Sequence, residues 1–363
     1  MKNTLGNSVA VTLFGESHGE EIGAVIDGLA AGITVDEEFI AKRLTQRRPA
    51  GAISTARAEK DPFRIVSGVF NGKTTGTPIC ILIPNGDTKS KDYSATRFLP
   101  RPGHADYTAY KKYHGFEDYR GGGHFSGRIT AALVAAGAIA QKALEAKGIA
   151  IGTHIKACAG VKDAEITDIK KDITYLNDTV FAVLEKETED KMKRAIEAVA
   201  KDGDSVGGIL ESAVVGLPAG VGEPWFDSLE SALSHGLFSI PAVKGVEFGE
   251  GFEFANMRGS AANDPFTVHE GRVVTKTNHN GGINGGISNG MPLIIRCAVK
   301  PTPSIYKEQD TVDMKEGTDA KLQIQGRHDP AIVHRARVVA DSVIALVLCD
   351  MLALKYGTDF LGE

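Results

Sequence analysis

SGRITAALVAAGAIAQKALEAK, residues 126–147, predicts a helix with Ser126 as N-cap, alanine-rich propensity along its length and Gly148 as its stop. So few charges interrupt it that no face is left for water, which makes it a core helix. Residues 331–356 predict a second long apolar helix, introduced by Asp329-Pro330 and ended by Gly357. Around these two lie strand-like runs at 8–14, 22–29, 79–83, 205–217 and 291–299, with Gly207 and Gly208 marking a bulge. Shorter helices are predicted at 36–48, capped by Asp36, at 187–201 and at 227–237. Two buried helices, each flanked by strands, imply an α/β sandwich of two similar halves. No Pro- or Ser-rich linker divides them, so residues 1–363 are read as one unit.

Composition narrows the function. The chain carries 41 Lys and Arg against 46 Asp and Glu, a net charge of -5, so a globally basic surface for nucleic acid is not expected. Cys80, Cys158, Cys297 and Cys349 are far apart, without a CxxC pair, which fits a reducing cytoplasm better than a disulfide framework or zinc ribbon. The N-terminus lacks the pattern of a signal peptide. The most apolar stretches, 129–141 and 342–349, fall short of the ~18 uncharged residues of a membrane span, so no membrane partner is expected. Glycine is the outlier, 42 residues clustered in GGGH and NHNGGINGGISNG, the mark of special backbone loops.

Two nucleotide-site look-alikes fail. SGVFNGKTTG has Ser67 where the phosphate loop needs its first glycine, four intervening residues ahead of Gly72-Lys73-Thr74, and GEGFEF at 249–254 lacks the third glycine of a dinucleotide fingerprint. No HExxH or paired Cys/His spacing favours a metal. What remains is His, Arg and Asp in glycine-rich or turn-like contexts, a setting for anions. His18 in GESHG and His104 in RPGHAD lie outside any apolar helical stripe, and each reads either as a satisfied imidazole or as a proton donor near neutral pH. GGGHFSGR reads either as an ordinary capped helix or as an anion site built from backbone N–H groups, the helix N-terminus and Arg128. GRHDP leaves the same choice between an N-cap at Asp329 and a carboxylate kept ionised by Arg327. A second class of function, a polyanion- or RNA-binding module, would use Arg43, Arg47, Arg48 and Lys111-Lys112.

The segments GESHGEEIGAVIDG, QRRP at 46–49, RPGHADYTAYKKY, YRGGGHFSGRITAALVAAGAIA, SIPAVKGVEFG, NHNGGINGGISNG, VKPTPSI and GRHDP, in this order, make nearly the whole chain resemble the chorismate synthase family. The resemblance implies a β-α-β sandwich of two pseudo-symmetric halves and a homotetramer. It implies a lyase that eliminates phosphate from 5-enolpyruvylshikimate 3-phosphate, giving chorismate for aromatic amino-acid biosynthesis. Reduced FMN is needed although no net redox change occurs, and its reduction draws on NAD(P)H, here expected through a separate flavin reductase. His18 would protonate the departing phosphate, His104 would keep the reduced flavin protonated, and Asp329 would help flavin N5 remove the ring proton. Ser17, Arg47, Arg101, Ser126, Gly127, Arg128 and Arg327 match substrate positions. His124, Phe125, Ser126, Pro241, Ala242, Gly285, Lys300, Pro301, Thr302, Pro303, Ser304 and Arg327 match flavin positions. The chain departs from the family pattern at His124 and Phe125, where relatives often have Arg and Ser, at Asp341 in place of Glu, and at Ile53 near another family Arg. Since imidazole loses its charge near neutral pH, His124 implies flavin binding that weakens as pH rises from about 6 to 8.

Overall fold

The structure, a computed structural model, describes residues 2–49, 51–54, 60–86, 96–324 and 328–362. Strands β1 (Thr4–Leu5), β2 (Ala10–Gly15), β3 (Glu21–Asp27), β4 (Arg64–Ser67) and β5 (Ile79–Pro84) form an antiparallel sheet in the order β1-β2-β3-β5-β4. A second antiparallel sheet joins β6 (Ala150–Cys158), β7 (Val161–Lys162), β8 (Gly208–Val215), β9 (Val243–Phe248) and β10 (Leu293–Val299) in the order β9-β10-β8-β6-β7. The helices are α1 (Glu37–Arg47), α2 (Asp106–Tyr113), α3 (Thr130–Ala146), α4 (Ile169–Asp178), α5 (Lys186–Lys201), α6 (Leu229–Leu237) and α7 (Val333–Tyr356). α3 packs on β3 and β5, α7 packs on β6 and β8, and the two helices lie along each other between the sheets. The expected sandwich of two similar halves is therefore observed, with one hydrophobic cluster running from Val9 to Leu361.

Both central helices are apolar around their circumference because a sheet or another helix covers every side. Their closest approach needs a glycine: a Cβ on Gly137 would stand 2.2 Å from the Cβ of Ser342. The Cys349 thiol lies 3.6 Å from the Ala140 carbonyl further along, so the helices run parallel and begin at the same end of the molecule. By length and composition Gly127–Ala146 could cross a membrane, which corrects the expectation drawn from 129–141. The span is longer because it tolerates Arg128, Gln141 and Lys142, and 83% of its apolar window is buried in the fold as core.

Charge also enters this core. Asp341 of α7 accepts hydrogen bonds from Arg43 of α1 and, at 2.5 Å, from Thr153 of β6, and Arg337 lies 3.6 Å away. Burial, with Arg43 nearby, pushes the Arg337 guanidinium down to about 9. Arg43 and Arg47 are buried, so α1 offers no basic stripe, and the polyanion-binding alternative loses two of its residues.

Element ends differ from expectation where local hydrogen bonding differs. Asp36 caps α1 by accepting from Phe39 N, as the sequence predicts. Ser126 caps a 3-10 turn, Gly127–Ile129, rather than α3 itself, and α3 ends at Lys147 followed by Gly148 in the left-handed region. The Asp329 cap is overturned: α7 starts at Val333 behind Ile332, and the Asp329 carboxylate instead accepts from Arg335 Nη1 at 2.6 Å. The bulge falls between Ile209 and Leu210, and Gly208 is needed because a Cβ there would meet the Ala157 carbonyl oxygen at 2.5 Å. The turn-rich polar stretch from Asp87 to Arg101 reads from its sequence as a long loop, and its residues 87–95 lie outside the described residues. Phe98 and Pro100 are pinned by Met314 N and Thr311 Oγ1.

One row of side chains crosses the outer face of the second sheet. Glu247, Arg296, Glu211 and His154 stand on directly paired positions of β9, β10, β8 and β6. His154 is wholly buried, with Nδ1 2.9 Å from Asp163 and Nε2 3.1 Å from Glu211. Burial alone would lower its pKa, but the two carboxylates outweigh it and raise the imidazole above its ordinary 6.5. Burial alone would raise Glu211, but His154, Lys156 and Arg296 bring it to about 2. His154 therefore contributes stability in full below its unfolded value of 6.5 and loses it as pH rises through the raised folded value. Glu211 contributes above 4.5 and loses its share as pH falls through about 2. H154Q is expected to cost about 3–5 kcal/mol in chemical denaturation near pH 6, since it takes from two buried carboxylates the charge they share. It should also remove the alkaline fall in stability expected of the parent; an unaltered pH profile would refute this account.

Candidate active site

The three glycines at 121–123 all have positive φ, and this run sets the geometry. A Cβ on Gly121 would stand 2.3 Å from His18 Cε1, and one on Gly122 would stand 2.9 Å from His104 Cε1. The loop therefore lies against both predicted histidines, one residue apart. Ser17 N donates to the Gly123 carbonyl at 3.1 Å, and Ser17 Oγ is 3.2 Å from His18 Nδ1, fixing GESHG beside it. His124 Nδ1 lies 2.8 Å from the Gly15 carbonyl, so this nitrogen donates and holds the other end of the same strand turn. Phe125 sets its ring edge-on to Tyr113 of α2, with centroids 6.0 Å apart.

RPGHAD folds around a carboxylate that the sequence reading left without a role. Asp106 Oδ2 accepts from Arg101 Nε at 2.7 Å, and Oδ1 lies 2.7 Å from both Arg101 Nη2 and His104 Nδ1. Burial alone would raise the Asp106 carboxyl, but the hydrogen bonds from Arg101 and His104 hold it far below the usual carboxylate range.

Below the glycines, Arg47 donates to Thr130 Oγ1 at 2.9 Å and to the Gly127 carbonyl at 2.8 Å. Arg128 donates to Asn85 Oδ1 at 2.9 Å, to the Pro84 carbonyl and to Asp61. Asp61 is buried between the two arginines, 3.6 Å from Arg47 Nη1. Both guanidiniums thus hold the Ser126 turn through protein partners. Asp329 joins this group through Arg335, whose Nε donates to the Arg47 carbonyl at 3.0 Å. Arg327, expected to pair with Asp329, lies outside the described residues.

Lys300 connects the second half to the first. Its Nζ donates to the Gly103 carbonyl and its backbone N to the Ala242 carbonyl at 2.9 Å, with Pro241 alongside. A Cβ on Gly103 would lie 3.4 Å from Pro303 Cβ. The Thr302 carbonyl accepts from Ser205, while buried Thr302 Oγ1 finds no hydrogen-bond partner among the described residues. Pro301 sits against Gly207, and Ser304 shares a cavity of ≈140 Å3 with Asp329, His328 and Tyr306. Gly285 is apart from these residues. It sits in the Ile283–Asn284/Ile287–Ser288 hairpin, where Gly286 accepts from Leu229 of α6, near the start of β10. Lys300 follows the end of that strand, about 20 Å of extended chain away. Within one chain the structure does not bring Gly285 to the other flavin positions.

Asp61, Asn85, Asp106 and Arg335 are the polar residues that sequence reading missed. A local signal existed for two of them: Asp61 precedes Pro62 in a turn-forming pair, and Asp106 is two residues from His104.

The family model for chorismate synthase matches residues 9–353. Proteins named chorismate synthase from Pyrococcus abyssi and Methanococcoides burtonii are 47% and 46% identical, covering 96% of this chain and 97% and 95% of their own. The one from Dehalococcoides mccartyi is 46% identical over 98% of both chains. A crystal structure of chorismate synthase, at 29% identity, superposes with a TM-score of 0.74 over 97% of this chain and 94% of that one. With its sandwich fold, its glycine-bound histidines and these near full-length matches, the chain belongs to the chorismate synthase family.

Proposed function

We propose that the pocket around Gly121–Arg128 is where this chain eliminates phosphate from 5-enolpyruvylshikimate 3-phosphate to give chorismate. The observation that carries this is the contact of Gly121 and Gly122 with His18 and His104, which sets two imidazoles from separate segments against one loop at the common end of α3 and α7. The residues present fit reduced FMN: Thr302 Oγ1 is a buried polar atom awaiting a partner, and Ala242, with a φ of 74, turns its carbonyl onto Lys300. Lys300, Thr302, Ser304, Pro241, Ala242, His124 and Phe125 would hold it. The chemistry supplied by bound reduced flavin is electron density lent to the breaking C–O bond and returned, so the balance shows no net redox change.

The chain's own groups do the rest. His18 donates a proton to the departing phosphate oxygen. Asp329, anchored by Arg335, takes part in removing the ring proton. Arg101, with its fork held by Asp106, places positive charge beside the substrate's carboxylates or phosphate. Arg47 and Arg128, tied to Asp61, keep the Ser126 turn in position.

The exposed Phe252 and the exposed Phe266, Val268 and Val273 of the 266–275 hairpin support self-association into a homotetramer. Four free thiols support a cytoplasmic setting. Without a nicotinamide fingerprint in the sequence, flavin reduction with NAD(P)H is assigned to a separate reductase.

Anaerobic incubation with reduced FMN and substrate is expected to release phosphate, and H18A or D329N should slow release by at least ~100-fold. Unchanged turnover in both would end this assignment of roles. G121A forces a Cβ against His18 and is expected to lower turnover roughly 100-fold through misplacement of the ring. Its melting temperature should fall only by the few degrees that left-handed backbone strain of about 1 kcal/mol allows. Parent-like turnover in G121A would show that the loop does not position His18.

A further inference from the structure

The Asp106 carboxylate is saturated by groups of its own turn. Oδ2 accepts from Arg101 N at 3.0 Å and Arg101 Nε at 2.7 Å, and Oδ1 receives Arg101 Nη2 and faces His104 Nδ1, each at 2.7 Å. Arg101 Nη2 also lies 3.1 Å from His104 Nδ1. A guanidinium nitrogen only donates, and this one already donates to Oδ1; two donors meeting at one oxygen stand this close by geometry alone. An ionised carboxylate only accepts, so its 2.7 Å neighbour Nδ1 must carry the proton. Asp106 is also the first residue of α2, where the helix N-terminus favours negative charge. On the ring's other edge, Cε1 and Nε2 face Gly122, where a Cβ would stand 2.9 and 3.2 Å away.

We propose that Asp106 is a positioning residue, holding His104 as the Nδ1–H form so that Nε2 is presented across Gly122 to the reacting groups. This rests on the reading of His104 as a site residue. The carboxylate orients the imidazole and selects the nitrogen that meets the ligand, as a second-layer partner does for any histidine whose two nitrogens have different tasks. The same carboxylate aligns Arg101, so one side chain sets both a cation and an imidazole in a single turn.

Histidine-selective 15N NMR on the free protein tests the assignment directly. In the parent, neutral His104 is expected to show a protonated Nδ1 and a bare Nε2. D106A should shift the population toward Nε2–H. In turnover with saturating reduced FMN, D106N is expected to lower kcat at least about 10-fold through His104 and also to raise the substrate KM, because Arg101 loses its alignment. A parent spectrum with the proton on Nε2 overturns the proposal, whether or not the variants fold. A D106N enzyme with raised KM and parental kcat also overturns it, because Asp106 would then act only through Arg101. The NMR measurement needs neither flavin nor turnover, so its failure leaves phosphate release standing. A chain that releases no phosphate would leave the tautomer result standing in turn.

Discussion

Everything functional in this fold hangs on the parallel packing of α3 and α7. Side by side between two sheets, the helices touch where Gly137 meets Ser342, a contact possible only because one partner lacks a Cβ. Close packing at that point fixes how far apart the sheets stand and brings both helix N-termini to one end of the sandwich. Aligned dipoles ending together are electrostatically unfavourable alone, but they favour bound anions at that end. The buried Arg43, Arg337 and Asp341 group ties α7 to α1 and β6, so the helix cannot slide without separating buried charges.

The site follows from that alignment. Just ahead of α3 the chain must turn sharply past GESHG, and Gly121–Gly123 do so in backbone conformations that side chains rarely adopt. Without Cβ atoms, this backbone lies against His18 and His104 and orders both. Just ahead of α7, Asp329 is drawn to Arg335 and so to Arg47, linking the two helix starts. Lys300, following β10, reaches back to Gly103 and joins the second sheet to the first half of the pocket. Residues distant in sequence thus share one site because two helices start together.

Positive charge in the pocket is arranged in two ways. Arg47, buried, and Arg128, partly buried, are both balanced by buried Asp61, so they act as rigid framework. Arg101 is fixed by Asp106 at the edge of the pocket, where the same carboxylate holds His104. In each case a carboxylate sets the cation's direction, which limits the reorganisation needed when polyanions enter.

The amino-acid sequence by itself determined the two apolar helices, most strand positions and the Asp36 cap, and singled out His18, His104 and the GGGHFSGR loop as candidates, because periodicity, propensity and glycine clustering are local properties. It also carried the family resemblance, spread over nearly the whole chain. Helix ends were less legible: Ser126 does cap, but only the 3-10 turn leading into α3, and Asp329 looks like a cap yet takes Arg335 as its partner. Asp61, Asn85 and Arg335 gained their roles in three dimensions, as did the row from Glu247 to His154, whose members come from four strands, whereas Asp106 acts within its own turn. A side chain's charge is written in the sequence, but its partner is chosen by packing, since most of these contacts join residues that chain folding alone brings within hydrogen-bond range.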